Sequence, residues 1–490
     1  MNRNRTVICL CGYLLVWCSI RPASAPAFQQ ESGSSVSPAT LPDLAEHQRW
    51  TDVASQLAQG EPPTATQPDG TTALHWAVFH NHPEAIQLLL ATSADVNAET
   101  HYQVTPLSLA CEFGYPRCAE LLVQAGADVE RARLGEVTPL MLAARNGNAE
   151  ILASLLLAGA KVDAREVDGQ TALMWAAERG NVDAVDALLH ADADFDYRLR
   201  GSGYSAFMFA ARNGHADATL RFLDAGMGVN AMVNPNRKGG RNPRRGMSAL
   251  MLAIESGHLE LALQLVARGA DPNDQRSGFS PLHAITWVRK TELGDNPAGD
   301  PPPRITGAVD SLSFVRKMVA AGAEVNLQLS RGAAGKAKLN PKGATPFLLA
   351  AKTADVPLLN LLLELGADPT LTNADGTTAL MAAAGVGVVS VGEEPGTPEE
   401  VNSVIRMLAK LGIDPNVVDR NQESAMHGAA YRNFPSTVAV LTELGASPTH
   451  WNHKNKYGWT PHLIASGKRP GSVKPSPETI AALDVALQSP

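Results

Sequence analysis

A short string, Thr or Ser followed by Pro or Ala and an apolar residue, recurs along this chain. It stands at Thr72, Thr105, Thr138, Thr171, Ser205, Ser248, Ser280, Thr345, Thr378 and Ser424, and in altered order at Thr460. The first three intervals are 33 residues and the fourth is 34; later ones are the same period interrupted by insertions. A period of this length, held over 388 residues, leaves little freedom in architecture. Each unit is too small to bury a core alone, so the chain must stack its units and draw stability from their interfaces. With 44% hydrophobic residues the chain has the apolar content of a folded protein. Its 33 Pro and 41 Gly fall in short clusters, which excludes a collagen-like rod.

Every unit repeats the same local chemistry. The Thr or Ser caps a helix, and Pro106, Pro139 and Pro281 suit a first helical turn. Apolar residues and Ala fill one face, as at Leu140, Ala143 and Ala144. Nine positions after the cap stands Gly114, Gly147, Gly180, Gly214 or Gly257, a left-handed helix stop, with Asn81 and Asn433 in the same role. A second helix carries Leu clusters such as Leu155–Leu157 and ends at Gly-Ala, as at Gly159-Ala160. The strings DGTTALHWAVFHNHPEAIQLLL, TPLMLAARNGNAEILASLLLAGAKVDA and MSALMLAIESGHLELALQLVARGADPN show the pattern at full strength. It resembles the ankyrin repeat over about residues 42–490, with residues 42–68 as a degenerate N-terminal cap unit and 457–488 as a C-terminal one. The resemblance implies an all-α solenoid of stacked antiparallel helix pairs, joined by β-hairpin fingers, with about eleven repeat registers beyond that cap unit.

The N-terminus reads differently. Arg3 and Arg5 precede the apolar run Val7–Ile20, and Ala23, Ala25 and Ala27 follow. This is the pattern of a secretory signal over residues 1–27, cleaved after Ala27, with a Ser-rich linker over 28–41. The run is short for a membrane span, and an uncleaved anchor is the alternative reading. The mature chain then has no transmembrane segment, and a periplasmic or secreted location of bacterial type is expected. Loss of Arg3, Arg5 and Arg21 takes the net charge from −8 to −11. That balance excludes a general polyanion-coating role, and no nucleic-acid partner is expected.

Four insertions break the period, at 232–246, 290–310, 327–343 and 385–400. The first and third fall at finger positions and are basic: Arg237, Lys238, Arg241, Arg244 and Arg245 in one, Arg331, Lys336, Lys338 and Lys342 in the other. The other two fall at the opposite edge, the last with Glu393, Glu394, Glu399 and Glu400. The two basic loops read either as solvated segments or as an anion-binding lip. In the ankyrin arrangement the end of each first helix faces a concave groove, which places Arg145, Arg179 and Arg212 there, one per unit. Arginine binds carboxylate or phosphate bidentately. These residues together are therefore the expected partner-binding set.

Catalytic chemistry finds no footing. No G-x-S-x-G, H-E-x-x-H or G-x-x-x-x-G-K-[ST] string occurs. His75 reads as a local hydrogen-bonding residue, and Met141, Met174, Met208, Met251 and Met381 as a buried ladder. No metal, cofactor or catalytic residue is expected. Once the signal is removed only Cys111 and Cys118 remain, candidates for a disulfide across a short loop or, alternatively, two small buried hydrophobes. The expected function is that of a non-catalytic, monomeric scaffold binding another protein, one with an acidic patch. The alternative is binding of an anionic envelope polymer or lipid headgroup surface through the basic fingers.

Overall fold

The structure is a computed structural model and describes residues 39–236, 244–291, 303–332, 338–392, 394–469 and 474–488. The signal of residues 1–27, linker residues 28–38, and the basic residues Arg237, Lys238, Arg241 and Lys336 lie outside the described residues, as does Glu393.

The described chain folds into twelve helix pairs, here units 1 to 12. Units 1 to 4 are α1 (Leu41–Glu46) with α2 (Trp50–Ala58), α3 (Ala73–Phe79) with α4 (Pro83–Ala91), α5 (Pro106–Phe113) with α6 (Pro116–Gln124), and α7 (Pro139–Asn146) with α8 (Ala149–Leu157). Units 5 to 8 are α9 (Ala172–Arg179) with α10 (Val182–His190), α11 (Ala206–Asn213) with α12 (Ala216–Asp224), α13 (Ala249–Glu255) with α14 (Leu259–Ala267), and α15 (Pro281–Arg289) with α16 (Ser311–Ala320). Units 9 to 11 are α17 (Pro346–Lys352) with α18 (Val356–Glu364), α19 (Ala379–Ala384) with α20 (Pro398–Lys410), and α21 (Ala425–Arg432) with α22 (Pro435–Glu443). A four-residue turn of helix, α23 (Pro448–Trp451), precedes unit 12, α24 (Pro461–Ala465) with α25 (Pro477–Leu487).

All eleven recurring Thr and Ser residues are the N-caps of first helices. First helices pack on first helices from α1 to α24, and second helices pack on one another from α4 to α12, from α14 to α16 and from α18 to α25. The apolar faces merge into one core that runs the length of the stack, with Met141, Met174, Met208, Met251 and Met381 buried in it.

Polar bonds tie each unit to the next. The side chain of Asn181 donates to the carbonyls of Ala144 and Arg145 at the end of α7, each at 2.9 Å. Nε2 of His215 and of His258 reach the carbonyls of Glu178 and Arg212 in the same way, at 2.9 and 3.0 Å. These carbonyls have no partner within their own helix, so the neighbour completes the helix end. That leaves no space beside the stop: a Cβ at Gly180 would lie 2.4 Å from His215 Nδ1. The repeat's histidine also bonds beyond its own unit. His75 joins Thr72 Oγ1 at 2.8 Å to the carbonyl of Val104 in the next finger at 3.0 Å.

The fingers differ from the expected hairpins. Among the described residues they carry single antiparallel bridges, such as Arg133 with Val137. The turn closes at once, with Glu136 N bonded to Arg133 O, so no second ladder pair fits. Both basic insertions are lengthened fingers: Val233 pairs with Met247 and Leu329 with Ala344 through backbone bonds of 2.8 to 3.0 Å.

The insertion after α19 is not a solvated acidic edge. Val386 and Val388 are buried, and Gly387 presses its backbone on Leu339 of the second long finger. A Cβ at Gly387 would stand 2.3 Å from Leu339 N, and one at Gly428 would stand 2.8 Å from Val386 N. Arg469 of unit 12 donates to the carbonyls of Val388 and Tyr431, and Arg432 to those of Pro395 and Lys352. Of the acids expected there, Glu399 and Glu400 belong to the first turn of α20. Glu394 pairs with Lys352 at 2.8 Å and Glu400 with Lys290 at 2.7 Å. Two of those acids, Glu394 and Glu400, are therefore compensated where they stand.

Candidate partner-binding groove

Counting from each cap aligns the groove residues. The seventh position after the cap is Phe79, Glu112, Arg145, Glu178, Arg212, Glu255 and Trp287 in units 2 to 8. Five consecutive units therefore alternate acid and base, which corrects the expectation of a continuous basic track. Arg179 stands one place later than Arg145 and Arg212, exposed beside Arg145.

The basic residues are used unequally. Arg145 lies 3.1 Å from Glu112, which also takes Arg133 at 2.6 Å. The Arg145 guanidinium sits 5.2 Å from the Trp175 ring centre. Burial lowers its pKa, with Glu112 acting against that. Arg244 pairs with Glu255 and lies over the Phe279 and Trp287 rings. Both belong to the expected partner-binding set; each neutralises an acid of its own stack and covers aromatic surface. Arg212 is exposed, 5.8 Å from the Tyr204 ring centre, and Tyr204 stacks on Phe209. Arg245, Arg331, Lys338 and Lys342 are exposed and in no ion pair among the described residues.

Three features were not anticipated from the sequence. Tyr102, Leu134 and Val167, on three successive fingers, are 70%, 73% and 66% exposed. They stand three or four residues before their caps, so a column-by-column reading of the finger tips would have found them. Along units 4 to 8 arginines lie over aromatic rings, Arg145 on the buried Trp175, Arg212 on the buried Tyr204 and Arg244 on the half-buried Phe279 and Trp287. From unit 9 onward, Leu339 and the buried Val386–Val388 segment occupy that face, and Leu329, Ala344, Leu348, Leu349 and Ala382 form a small core of their own beneath.

Cys111 and Cys118 are both free thiols. Cys118 Sγ points to Asn81 Oδ1 of the preceding unit at 3.2 Å, away from the partner weighed for it. Burial raises the thiol pKa of Cys111 to about 12 and of Cys118 to about 11, so both stay protonated and unreactive.

Family models agree with this geometry. The model described as ankyrin repeats (3 copies) matches residues 45–133, 131–199 and 196–276, and the single ankyrin repeat matches 342–374. This chain is an ankyrin-repeat protein. Between and beyond those matches, at 277–341 and 375–490, the helix pairs continue through the insertions. Ankyrin-repeat arrays generally bind proteins.

Among similar proteins is the phosphocholine transferase AnkX of Legionella pneumophila, 26% identical over 210 residues, 41% of this chain and 20% of that one. A putative ankyrin repeat-containing protein of Treponema pallidum is 28% identical over 173 residues, 35% of this chain and 45% of that one. The glycerophosphocholine phosphodiesterase gde1 of Schizosaccharomyces pombe is 32% identical over 122 residues, 25% of this chain and 10% of that one. The alignments thus span less than half the length of each of these relatives. The ankyrin repeat domain of human ASB11 aligns over 48% of this chain and 99% of that one, at 25% identity and a TM-score of 0.40.

Proposed function

We propose that this ankyrin array is a non-catalytic scaffold that binds one protein partner along the groove of units 2 to 8 and across the adjoining fingers. The observation that carries this reading is the row of exposed apolar finger tips, Tyr102, Leu134 and Val167. Isolated exposed hydrophobes are ordinary, but one at the tip of each of three consecutive fingers forms a stripe. Below it lie the arginine–aromatic stacks of the groove, the residue types that dominate binding energy at protein interfaces. The filled face from unit 9 onward bounds the site at one end. We place the scaffold outside the cytoplasm, periplasmic or secreted, on the strength of the basic and apolar pattern of residues 1–27. Among the described residues no helix is long and apolar enough to cross a membrane.

The test is a triple variant, Tyr102→Ser, Leu134→Ser and Val167→Ser. These side chains are exposed, so helix content and unfolding midpoint stay as in the parent protein. The partner captured by the parent from the native envelope should be lost from the variant; equal capture by both would overturn the reading. The N-terminus of protein recovered from its native compartment should begin at Phe28.

A second reading rests on Arg245, Arg331, Lys338 and Lys342, which keep the long fingers basic. They suit an acidic patch on the same partner, or an anionic envelope polymer or lipid headgroup surface. A partner bound mainly by these charges dissociates steeply as salt is raised, whereas one held by the apolar stripe does not.

A further inference from the structure

At the closed end of the stack a small cavity of about 10 Å³ lies where five segments meet. The second long finger supplies Lys338, Leu339 and Asn340, and the insertion after α19 supplies Val386 and Gly387. The fingers entering units 10, 11 and 12 supply Asp375 and Thr377, then Asp419, Asn421 and Glu423, then Tyr457. That volume is about one water-sized sphere.

Glu423 is out of pattern. It occupies the position just before the cap, which is Val104, Val137, Tyr204, Met247, Phe279 or Ala344 in other units and is charged in none of them. Its side chain is 4% exposed. Oε1 accepts from Tyr431 Oη at 3.0 Å and from Asn455 Nδ2 at 2.8 Å. Oε2 is buried with no hydrogen-bond partner among the described residues. Asp419, also 4% exposed, accepts from Thr377 Oγ1 at 2.9 Å. Asp375 accepts from the side-chain amides of Asn340 and Asn421 at 3.1 and 2.9 Å. None of these three carboxylates is in an ion pair among the described residues; the nearby Lys456 bonds Asn421 instead. A buried carboxylate with neither a counter-charge nor a full set of donors is costly.

We propose that this cavity binds one hard, oxygen-coordinating cation against Glu423 Oε2. Beside the exposed Lys338, the wall carries carboxylates and a hydroxyl, the donor set of calcium and sodium rather than of soft metals. Among the described residues no three acidic, His or Cys side chains converge tightly enough to hold a metal by themselves. The Thr377 hydroxyl and water therefore complete the shell, since the side-chain oxygens of Asn421 and Asn340 are held by Lys456 and by the backbone N–H of Lys342. The ion supplies the missing positive charge and ties the second long finger to units 10, 11 and 12. This site is independent of the partner groove and stands whether or not that reading does.

The test is titration of the full chain with CaCl2 alone, and separately with NaCl alone, in choline chloride at constant ionic strength. Heat of binding and unfolding midpoint are both followed. The expected result is saturable binding of one ion per chain with a rise in midpoint. Glu423→Gln keeps the acceptor for Tyr431 and Asn455 but removes the charge. It should weaken binding by at least about tenfold and abolish the rise. Asp375→Asn, at a half-buried position, is the milder second variant and should weaken binding without loss of fold. Absence of one-per-chain binding for both ions in the parent protein overturns the proposal even if Glu423→Gln does not fold. Equal binding by the parent and the folded Glu423→Gln variant overturns it as well.

Discussion

His283 is fully buried, with Nδ1 2.7 Å from Ser280 Oγ and Nε2 3.1 Å from the carbonyl of Ala344 in the next finger. Burial lowers its pKa from 6.5 to about 4. The unfolded chain takes up this proton near pH 6.5 and the folded chain only near pH 4, so the contribution is intact above 6.5 and is lost as pH falls through that window. The loss should reach about 3 kcal/mol. His283→Met, the residue other units use at this place, should unfold with a flatter pH dependence between 4 and 6.5, read by urea denaturation. It should be weaker by about 1 kcal/mol at neutral pH through the lost bond. The local role of His75 was legible from its distance to Thr72. Its second bond, to the next finger, was not, because that partner is set by stacking. The Leu clusters show the same limit. Leu155 is fully buried, Leu156 only partly, and Leu157 is 89% exposed. The three are adjacent in sequence, and only the crossing of α8 with its neighbours decides among them. Leu155→Ala should cost about 2–5 kcal/mol, as core truncations do; Leu157→Ala should leave the unfolding midpoint unchanged.

Helices and their stops were the most legible elements, since cap, Pro and left-handed residue each act through local backbone chemistry. The broken period marks where the insertions lie along the chain but not the path they take. The last one reads as locally acidic, yet apolar residues decide its path: Val386 and Val388 bury themselves beside the space left by Gly428. Gly387 holds the junction, with φ at +94° and no space for a side chain. Gly387→Ala should therefore lift the second long finger from units 9 and 10. The expected sign is faster amide exchange across 338–348 and 385–392 with unchanged exchange in units 2 to 8. Uniform loss of protection along the chain would mean that the junction is not local. The groove arginines do not share one register, for an equally physical reason. Their spacing of 34 and 33 residues looked regular, but a one-residue slip from the cap places Arg179 on a different row from Arg145 and Arg212. The acids on that row were visible too, and counting from the caps rather than between arginines exposes them.

Nearest-neighbour bonding governs the whole molecule. Deleting Thr171–Tyr204 in frame would bring Gly147 against His215 in place of Asn181, and either side chain can reach a helix-end carbonyl. Such a protein should keep its helix content per residue and a single unfolding transition at a lower midpoint, measured by circular dichroism and calorimetry. Two separate transitions would show that the array is divided at that seam. A scaffold of near-identical units carries an ambiguity that a globular binding site does not: a partner fitting one unit almost fits the next. Along the row Glu112, Arg145, Glu178, Arg212 and Glu255, three members are already paired within the stack, Glu112 with Arg133 and Arg145 and Glu255 with Arg244. The exposed Glu178 and Arg212 mark the register: a ligand fitted to both and slipped by one unit of about 10 Å meets its own sign at one of them. Polarity comes from the occupied face beyond unit 8, which gives the tape measure a fixed zero.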